Sequence, residues 1–320
     1  MNRDQLEQNQ IPIYFVAVII AAVGGLLTPH VAQKLGALVT PAIAVLMYAM
    51  FLQIPFLQLR QGLANKRFIA ALLLANFVLI PLLVWAITRG LHDQPAILIG
   101  ALLVLLTPCI DYVVVFTHIG KGDARLTLAA TPLLLLLQLA LLPLYLALIP
   151  GNETAVAIAI GPFVEAFVLL IAVPLLLAVL TSAGAGRSPS VERWNAGWAW
   201  MPVPAMAAVL LVVIGSQIAY VAQQIEQLLP LIPVYLGFML LAPVIGALTA
   251  RALRLPATMA RSVTFSSATR NSLVVLPLAL ALPEDLRVLA AAAIITQTLI
   301  ELVFELIYIR VIPALVWRNR

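Results

Sequence analysis

Four residues that could take part in chemistry interrupt the apolar stretch at residues 96–118: Thr107, Pro108, Cys109 and Asp111. Proline lacks a backbone donor and crowds the preceding turn, so a helix should kink or break here. A thiolate binds soft, thiophilic centres, and a carboxylate can carry a proton. Because Cys109 is the only cysteine, we expect neither an intrachain disulfide nor a multi-cysteine metal site, and nothing in the sequence requires a cofactor.

A second group of polar residues interrupts the apolar stretch at residues 258–281; it contains Ser266, Thr269, Arg270 and Asn271. Two roles are open for Arg270 and Asp111. They form a purely structural ion pair, or they take part in substrate or proton handling. The second role follows the rule that charges inside such apolar stretches are functional by default.

Two carboxylates, Glu301 and Glu305, lie four residues apart in the stretch at 286–315 and therefore share one face of a helix. Glu301 is flanked by Ile300 and Leu302, which makes it a candidate proton carrier. For Glu305 two interpretations stay open. In the first it has a structural role, at the membrane interface or bound to Arg310. In the second it shares a functional role with Glu301.

The composition places these residues in a membrane. Apolar residues make up 63% of the chain and charged residues 10%, with a mean hydropathy of +1.10, whereas soluble domains carry about 25% charged residues. We therefore predict an all-α polytopic membrane protein. Ten apolar runs reach the length of about 20 residues that crosses a bilayer: 12–30, 36–56, 68–88, 96–118, 126–149, 156–181, 198–220, 228–249, 258–281 and 286–315.

The basic residues orient the predicted spans. With a cytoplasmic N-terminus, most Lys and Arg fall in cytoplasmic loops, and only Lys34, Arg89 and Arg287 fall outside. This asymmetry follows the positive-inside rule and accounts for the net charge of +5 without a nucleic-acid partner. We predict a multi-pass protein of the cell (plasma or inner) membrane with both termini in the cytoplasm.

The chain also shows an internal repeat at an offset of about 162 residues. Two halves, 1–152 and 153–320, would hold five spans each, and an odd number of spans inverts the second half. Spans four and nine then become equivalent broken helices that cross at a substrate site near the bilayer midplane. The offset pairs Pro81 with Pro243, Arg89 with Arg251, Thr107 with Thr269, Asp123 with Asp285, and Arg125 with Arg287.

Several positions resemble arsenite-efflux permeases, a branch of the bile acid/sodium symporter superfamily. Asn271 resembles an asparagine of that family's ninth-span motif, and the residues around Glu301 are similar to its tenth-span stretch. The fourth-span motif of these permeases is similar to this chain at Pro108, Cys109, Val113, Val115, Phe116, Thr117, Lys121, Gly122 and Asp123.

The resemblance implies a core and a panel domain and export of arsenite or antimonite through Cys109, in exchange for protons carried by Glu301. The candidate proton carriers are thus Glu301 and Asp111. The candidate substrate-binding residues are Thr107, Cys109, Asp111, Ser266, Thr269, Arg270 and Asn271.

Departures from the superfamily concern sodium. By the resemblance, a sodium-ligating Ser-Asn pair corresponds to Val113 and Val114, and a glutamate and a glutamine correspond to Ser266 and Arg270. Valine offers no side-chain oxygen, and an arginine repels a cation, so a sodium site is not expected.

Two alternatives stay open. Arg270 could attract an anionic substrate, which would make the protein a carrier of organic anions of the bile acid symporter type. An intramembrane enzyme that uses Cys109 with Asp111 or His118 is the remote alternative, because Cys109 and Asp111 would point to different faces of a regular helix. We therefore expect a transporter and not an enzyme.

Overall fold

Helices end where the sequence predicted interruptions. A computed structural model describes residues 6, 9–53, 65–110, 112–149, 165 and 168–316, and within these residues the regular elements are helices, with no strand. The coarse prediction of an all-helical polytopic protein is confirmed, because six described helices are long and apolar enough to cross a membrane.

The described helices form two compact units, each of which draws on both halves of the sequence. The helices of the first unit are α1 (Gln10–Leu27), α2 (Pro29–Lys34), α3 (Val39–Gln53), α9 (Val173–Ala185), α10 (Pro189–Trp198) and α11 (Pro202–Gln223). The second unit contains α4 (Lys66–Leu74), α5 (Ile80–Ile87), α6 (Pro95–Leu105), α7 (Val113–Ile119), α8 (Ala124–Leu148), α13 (Leu231–Ala252), α14 (Ala257–Ala268) and α16 (Glu284–Leu315). The short helix α12 (Ile225–Leu228) and α15 (Ser272–Leu280) complete the order.

The described residues show how several of the predicted spans are built. The predicted fourth span, 96–118, consists of α6 and α7, and the predicted ninth span, 258–281, consists of α14 and α15. Much of the predicted sixth span, 156–181, lies outside the described residues. Three further apolar helices are shorter than a full span: Pro12–Leu27, Pro95–Leu105 and Val173–Ala185.

Two helices of the first unit, α1 and α9, expose large apolar side chains. Ile19, Ile20 and Leu27 on α1 and Leu176 and Leu180 on α9 are exposed. Soluble monomers rarely expose large apolar patches, whereas helices that contact lipid expose apolar side chains such as these.

Local chemistry explains why the two broken helices end where they do. Helix α6 ends three residues before Pro108, which cannot donate a backbone hydrogen bond. Helix α14 ends at Ala268 because Thr269 adopts an extended conformation, with φ −96° and ψ 131°. Between α4 and α5, residues Ala75–Leu79 form a π-helical turn, a feature that often occurs at functional sites.

Helix α6 packs closely against α16 through Gly100. A Cβ atom added at Gly100 would lie 2.5 Å from the carbonyl oxygen of Ala290 on α16 and 2.8 Å from its Cα. Backbone atoms cannot move aside as a flexible side chain can. Gly100 therefore sets the distance between the first broken helix and the helix that carries Glu301.

We predict that Gly100→Ala destabilises the protein by about 1–3 kcal/mol, the usual cost of overpacking. The matched control is Gly237→Ala on α13, because a Cβ there meets nothing within 4 Å and alanine favours a helix. Thermal unfolding in detergent should show a lower Tm for Gly100→Ala only. Equal Tm values for the two variants would contradict this packing role.

Candidate functional site

The two interrupted segments meet as a short antiparallel bridge. Pro108 lies opposite Arg270. The backbone N–H of Cys109 donates to the carbonyl oxygen of Thr269 at 3.1 Å, and that of Asn271 donates to Thr107 at 2.8 Å. Broken backbone inside a membrane protein needs partners, and here each break supplies partners for the other. The predicted meeting of the two interruptions is therefore present in the structure.

The predicted site residues in the first interruption have different surroundings. The hydroxyl of Thr107 donates a hydrogen bond to Leu103 O at 2.9 Å. The side chain therefore bonds to the backbone of α6. Cys109 is fully buried next to the bridge. Asp111 lies outside the described residues, and its pairing with Arg270 stays a prediction.

Glu301 is bound by donors from three directions and is fully buried. Its Oε2 accepts a hydrogen bond from the backbone N–H of Arg270 at 2.9 Å and another from Gln297 Nε2 at 2.5 Å. Its Oε1 lies 2.5 Å from the hydroxyl of Tyr112. The predicted proton-carrier candidate therefore contacts the crossing directly.

Glu305 also reaches the crossing. It is fully buried, and its Oε1 accepts a hydrogen bond from Thr269 Oγ1 at 2.6 Å. Of the two interpretations of Glu305, the structure supports the second: the side chain lies in the interior near Glu301, and not at an interface. Thr269 is thus held by Glu305 through its side chain and by Cys109 through its backbone.

The guanidinium of Arg270 is fully buried and bonds to neutral oxygens in the described part of the chain. Its Nη2 donates to Asn76 Oδ1 at 2.8 Å, to Ser266 O at 2.7 Å and to Ser267 O at 2.8 Å. The ring of Phe238 lies 5.4 Å from its Cζ, within cation–π range. Of the predicted site residues, Ser266 thus contributes its carbonyl oxygen here, and its hydroxyl accepts from Asn76 Nδ2 at 3.1 Å.

Several buried polar atoms at the crossing have no hydrogen-bond partner among the described residues. They are Arg270 Nε, Asn271 Oδ1 and Nδ2, Ser272 Oγ, Gln297 Oε1 and Glu305 Oε2. Buried polar groups without partners are uncommon in native structures and call for an explanation. A polar substrate at the crossing would give them partners.

Sequence reasoning missed Asn76, Tyr112 and Gln297. The signals were present in part: Gln297, Glu301 and Glu305 recur every four residues along one helical face, and Asn76 is polar within an apolar run. Among the described residues, no group of three or more His, Cys, Asp or Glu side chains could hold a metal ion.

The comparison with known families identifies a matching family. The model of the sodium bile acid symporter family matches residues 40–227, which is more than half of the chain. The matched region includes the first interruption and ends before the second. A search of curated proteins returns no match.

We predict that Asn76→Leu lowers stability by about 1–3 kcal/mol, the cost of leaving buried polar groups without partners. The substitution removes an acceptor of Arg270 Nη2 and the donor to Leu72 O and Ser266 Oγ. A drop in Tm in detergent would be the readout.

Gln138→Met on α8 is the matched control for Asn76→Leu. The Gln138 amide is buried, and neither of its polar atoms has a partner among the described residues. Its replacement should leave the Tm unchanged or raise it. If both substitutions lower the Tm equally, Asn76 has no special role at the crossing.

Proposed function

The chain belongs to the sodium bile acid symporter family, and from this premise we propose that it is a proton-coupled exporter of arsenite or antimonite. Family membership makes it a membrane transporter of a small molecule or ion. The finer proposal places the substrate at the crossing of α6–α7 with α14–α15. A cell-membrane location with both termini in the cytoplasm belongs to the same proposal.

One observation carries it: the thiol-bearing residue and the buried carboxylate bind neighbouring residues of one extended segment. Cys109 N bonds to Thr269 O, and the next residue, Arg270, donates its backbone N–H to Glu301 Oε2. A shift of the Cys109 backbone or of the Glu301 carboxylate therefore reaches the other through the peptide unit between Thr269 and Arg270. Coupled transport needs this kind of link between substrate and proton.

The chemistry at the crossing suits trivalent arsenic. A thiolate is a soft ligand, and one sulfur atom would bind a thiophilic centre transiently, as transport requires. Asn271 and Ser272 carry buried amide and hydroxyl groups that have no partner among the described residues, and these groups can hydrogen-bond the hydroxyl groups of arsenous acid. Thr107, Thr269 and Asp111 belong to the same proposed substrate region.

The Tyr112 hydroxyl offers a route for proton coupling. It lies 2.5 Å from Glu301 Oε1 and 3.0 Å from the carbonyl oxygen of Arg270. A hydroxyl has one hydrogen and cannot donate to both acceptors at once. When Glu301 is ionised, Tyr112 donates to the carboxylate. When Glu301 is protonated, it donates to Tyr112, and Tyr112 donates to Arg270 O, so protonation rearranges hydrogen bonds on the crossing segment.

An inverted repeat is part of the proposal and has structural support. Exchanging residues that lie 162 positions apart (109 with 271, and 107 with 269) converts the bond from Cys109 N to Thr269 O into the bond from Asn271 N to Thr107 O. The same offset moves Pro95, the first residue of α6, onto Ala257, the first residue of α14. We propose repeats at 1–152 and 153–320, with ten spans in total.

Sodium does not fit as a coupling ion at the oxygens around Arg270 or at Val113. Three oxygens near the crossing already bind the guanidinium of Arg270. Val113 begins α7 and offers no side-chain oxygen. Sodium coupling is therefore not part of the proposal.

A carrier of organic anions is the second candidate. The buried positive charge of Arg270 beside the crossing favours it, because a charge of this kind attracts an anionic group. Taurocholate flux into membrane vesicles tests this candidate. It would be favoured over arsenite export if the flux requires Arg270 and continues when Cys109 is replaced.

We predict that Cys109→Ser abolishes arsenite and antimonite efflux, because a hydroxyl is a poor ligand for a thiophilic centre. The measurement is antimonite uptake by everted vesicles, with the same variants tested for arsenite resistance in a sensitive strain. Cys109→Ala should behave like Cys109→Ser. Both variants must elute from size exclusion as the wild type does, and undiminished resistance in either would refute a role for the thiol.

We predict that Glu301→Gln uncouples transport from the pH gradient. The amide can still accept from Arg270 N and donate to Tyr112, so the crossing keeps its hydrogen bonds while the exchangeable proton is lost. For Glu301→Gln, antimonite uptake under an imposed pH gradient should fall to the level measured without a gradient. Antimonite transport without a pH gradient should continue.

The matched control is Glu192→Gln, an exposed carboxylate on α10. It should leave the response to pH intact. If Glu301→Gln also retains that response, another residue carries the proton.

A further inference from the structure

Both broken helices end near the same cation. The guanidinium of Arg270 donates from Nη1 to Leu105 O at 3.4 Å, at the C-terminus of α6. From Nη2 it donates to Ser266 O and Ser267 O, in the last turn of α14. Helix C-termini carry partial negative charge and carbonyl oxygens without intrahelical partners. Two such ends converge on the Arg270 side chain.

The oxygens around Nη2 outnumber its hydrogens. Nη2 carries two hydrogens, yet Asn76 Oδ1, Ser266 O and Ser267 O all lie within 2.8 Å. The Asn76 oxygen is held in place because the amide nitrogen of the same side chain donates to Leu72 O and Ser266 Oγ, each at 3.1 Å. Such a shell resembles the coordination of a cation by oxygens more than a set of directional hydrogen bonds.

We propose that this oxygen cluster is a site for a monovalent alkali cation, which the chain fills permanently with its own Arg270 guanidinium. The cluster consists of the carbonyl oxygens of Leu105, Ser266 and Ser267 and the amide oxygen of Asn76. Arg270 has this role whichever substrate the protein carries. The guanidinium stabilises the cluster, and the cluster therefore requires no alkali ion for transport.

A cation fills the cluster because its buried oxygens would otherwise lack partners, which is unfavourable in free energy. Buried carbonyl oxygens that lose their partners are unfavourable, and helix C-terminal ends at bilayer depth commonly coordinate ions. Rings of carbonyl oxygens can replace the hydration shell of an alkali ion. A tethered guanidinium meets the same need with no ion taken from solution.

Replacement of Arg270 should affect stability differently if the side chain fills a cation site than if it only caps a helix. If the side chain is only a cap, its loss lowers stability equally in every salt. If it fills a cation site, its loss leaves a site that a small cation can enter. Only the second case gives stability that depends on the identity of the salt cation.

The test compares wild type with Arg270→Gln, which removes the charge and adds an amide oxygen near the cluster. Thermal unfolding in detergent is measured during titration with NaCl or KCl, with choline chloride added to hold the ionic strength constant. Wild type should have the same Tm in all three salts. Arg270→Gln should have a lower Tm in choline chloride and show a saturable rise with NaCl or KCl. The salt that acts at the lower concentration identifies the preferred ion.

Three further variants make the outcome decisive. Arg270→Lys keeps a tethered charge and should stay insensitive to the salt cation. Arg270→Leu adds no oxygen and should respond more weakly than Arg270→Gln. Arg270→Gln combined with Asn76→Asp adds an anionic ligand and should respond at lower salt concentrations.

Two results would overturn the inference. One is a saturable rise in the wild-type Tm that is specific to an alkali cation. The other is the same Tm, or the same degree of aggregation, in all three salts for both Arg270→Gln and the double variant.

Discussion

The structure of the second unit depends on one exchange of hydrogen bonds, from Cys109 N to Thr269 O and from Asn271 N to Thr107 O. An interrupted helix exposes backbone groups that lipid cannot satisfy. Two interruptions placed side by side satisfy each other and allow extended backbone in the interior. Once this bridge forms, the side chains of both segments are brought near one another, which neither helix could do alone.

Balanced charge is the second constraint on the crossing. Arg270 projects into carbonyl oxygens at two helix C-termini, while its backbone N–H contacts the carboxylate of Glu301. The side chain therefore meets partial negative charge from the backbone, and the carboxylate meets N–H and O–H donors. A buried charge is tolerated when it is hydrogen-bonded in this way. The arrangement leaves Glu301 hydrogen-bonded to Tyr112, whose hydroxyl also lies 3.0 Å from the carbonyl oxygen of Arg270.

Asn271, Ser272 and Gln297 carry buried polar atoms at the crossing that have no hydrogen-bond partner in the part of the chain that the structure describes. A structural crossing would gain stability by pairing them or by replacing them with apolar side chains. Among the described residues, the second unit instead keeps polar groups buried and without partners beside a thiol and two carboxylates. These groups support the proposal that a polar substrate binds at the crossing.

Much of this was foreseeable from local chemistry. Pro108 lacks a donor, the segment around Arg270 is polar within an apolar run, and a carboxylate at Glu301 needs a partner in the interior, so the breaks and the candidate residues followed from composition and spacing. The spacing of four residues between Glu301 and Glu305 also indicated a shared face. What the pattern did not contain was the depth of Glu305, because an apolar run looks the same whether its polar member points to an interface or inward.

The sequence alone settled that the chain enters a membrane, where two of its helices break, and which side chains with chemistry lie at the breaks, because these properties follow from hydropathy and from the backbone chemistry of individual residues. Tertiary structure decided the partners. Asn76 and Arg270 are 194 residues apart, as are Asn65 and Met259, while Tyr112 and Glu301 are separated by 189. Hydrogen bonds across such separations depend on the direction in which packed helices point their side chains, and no local pattern encodes that direction.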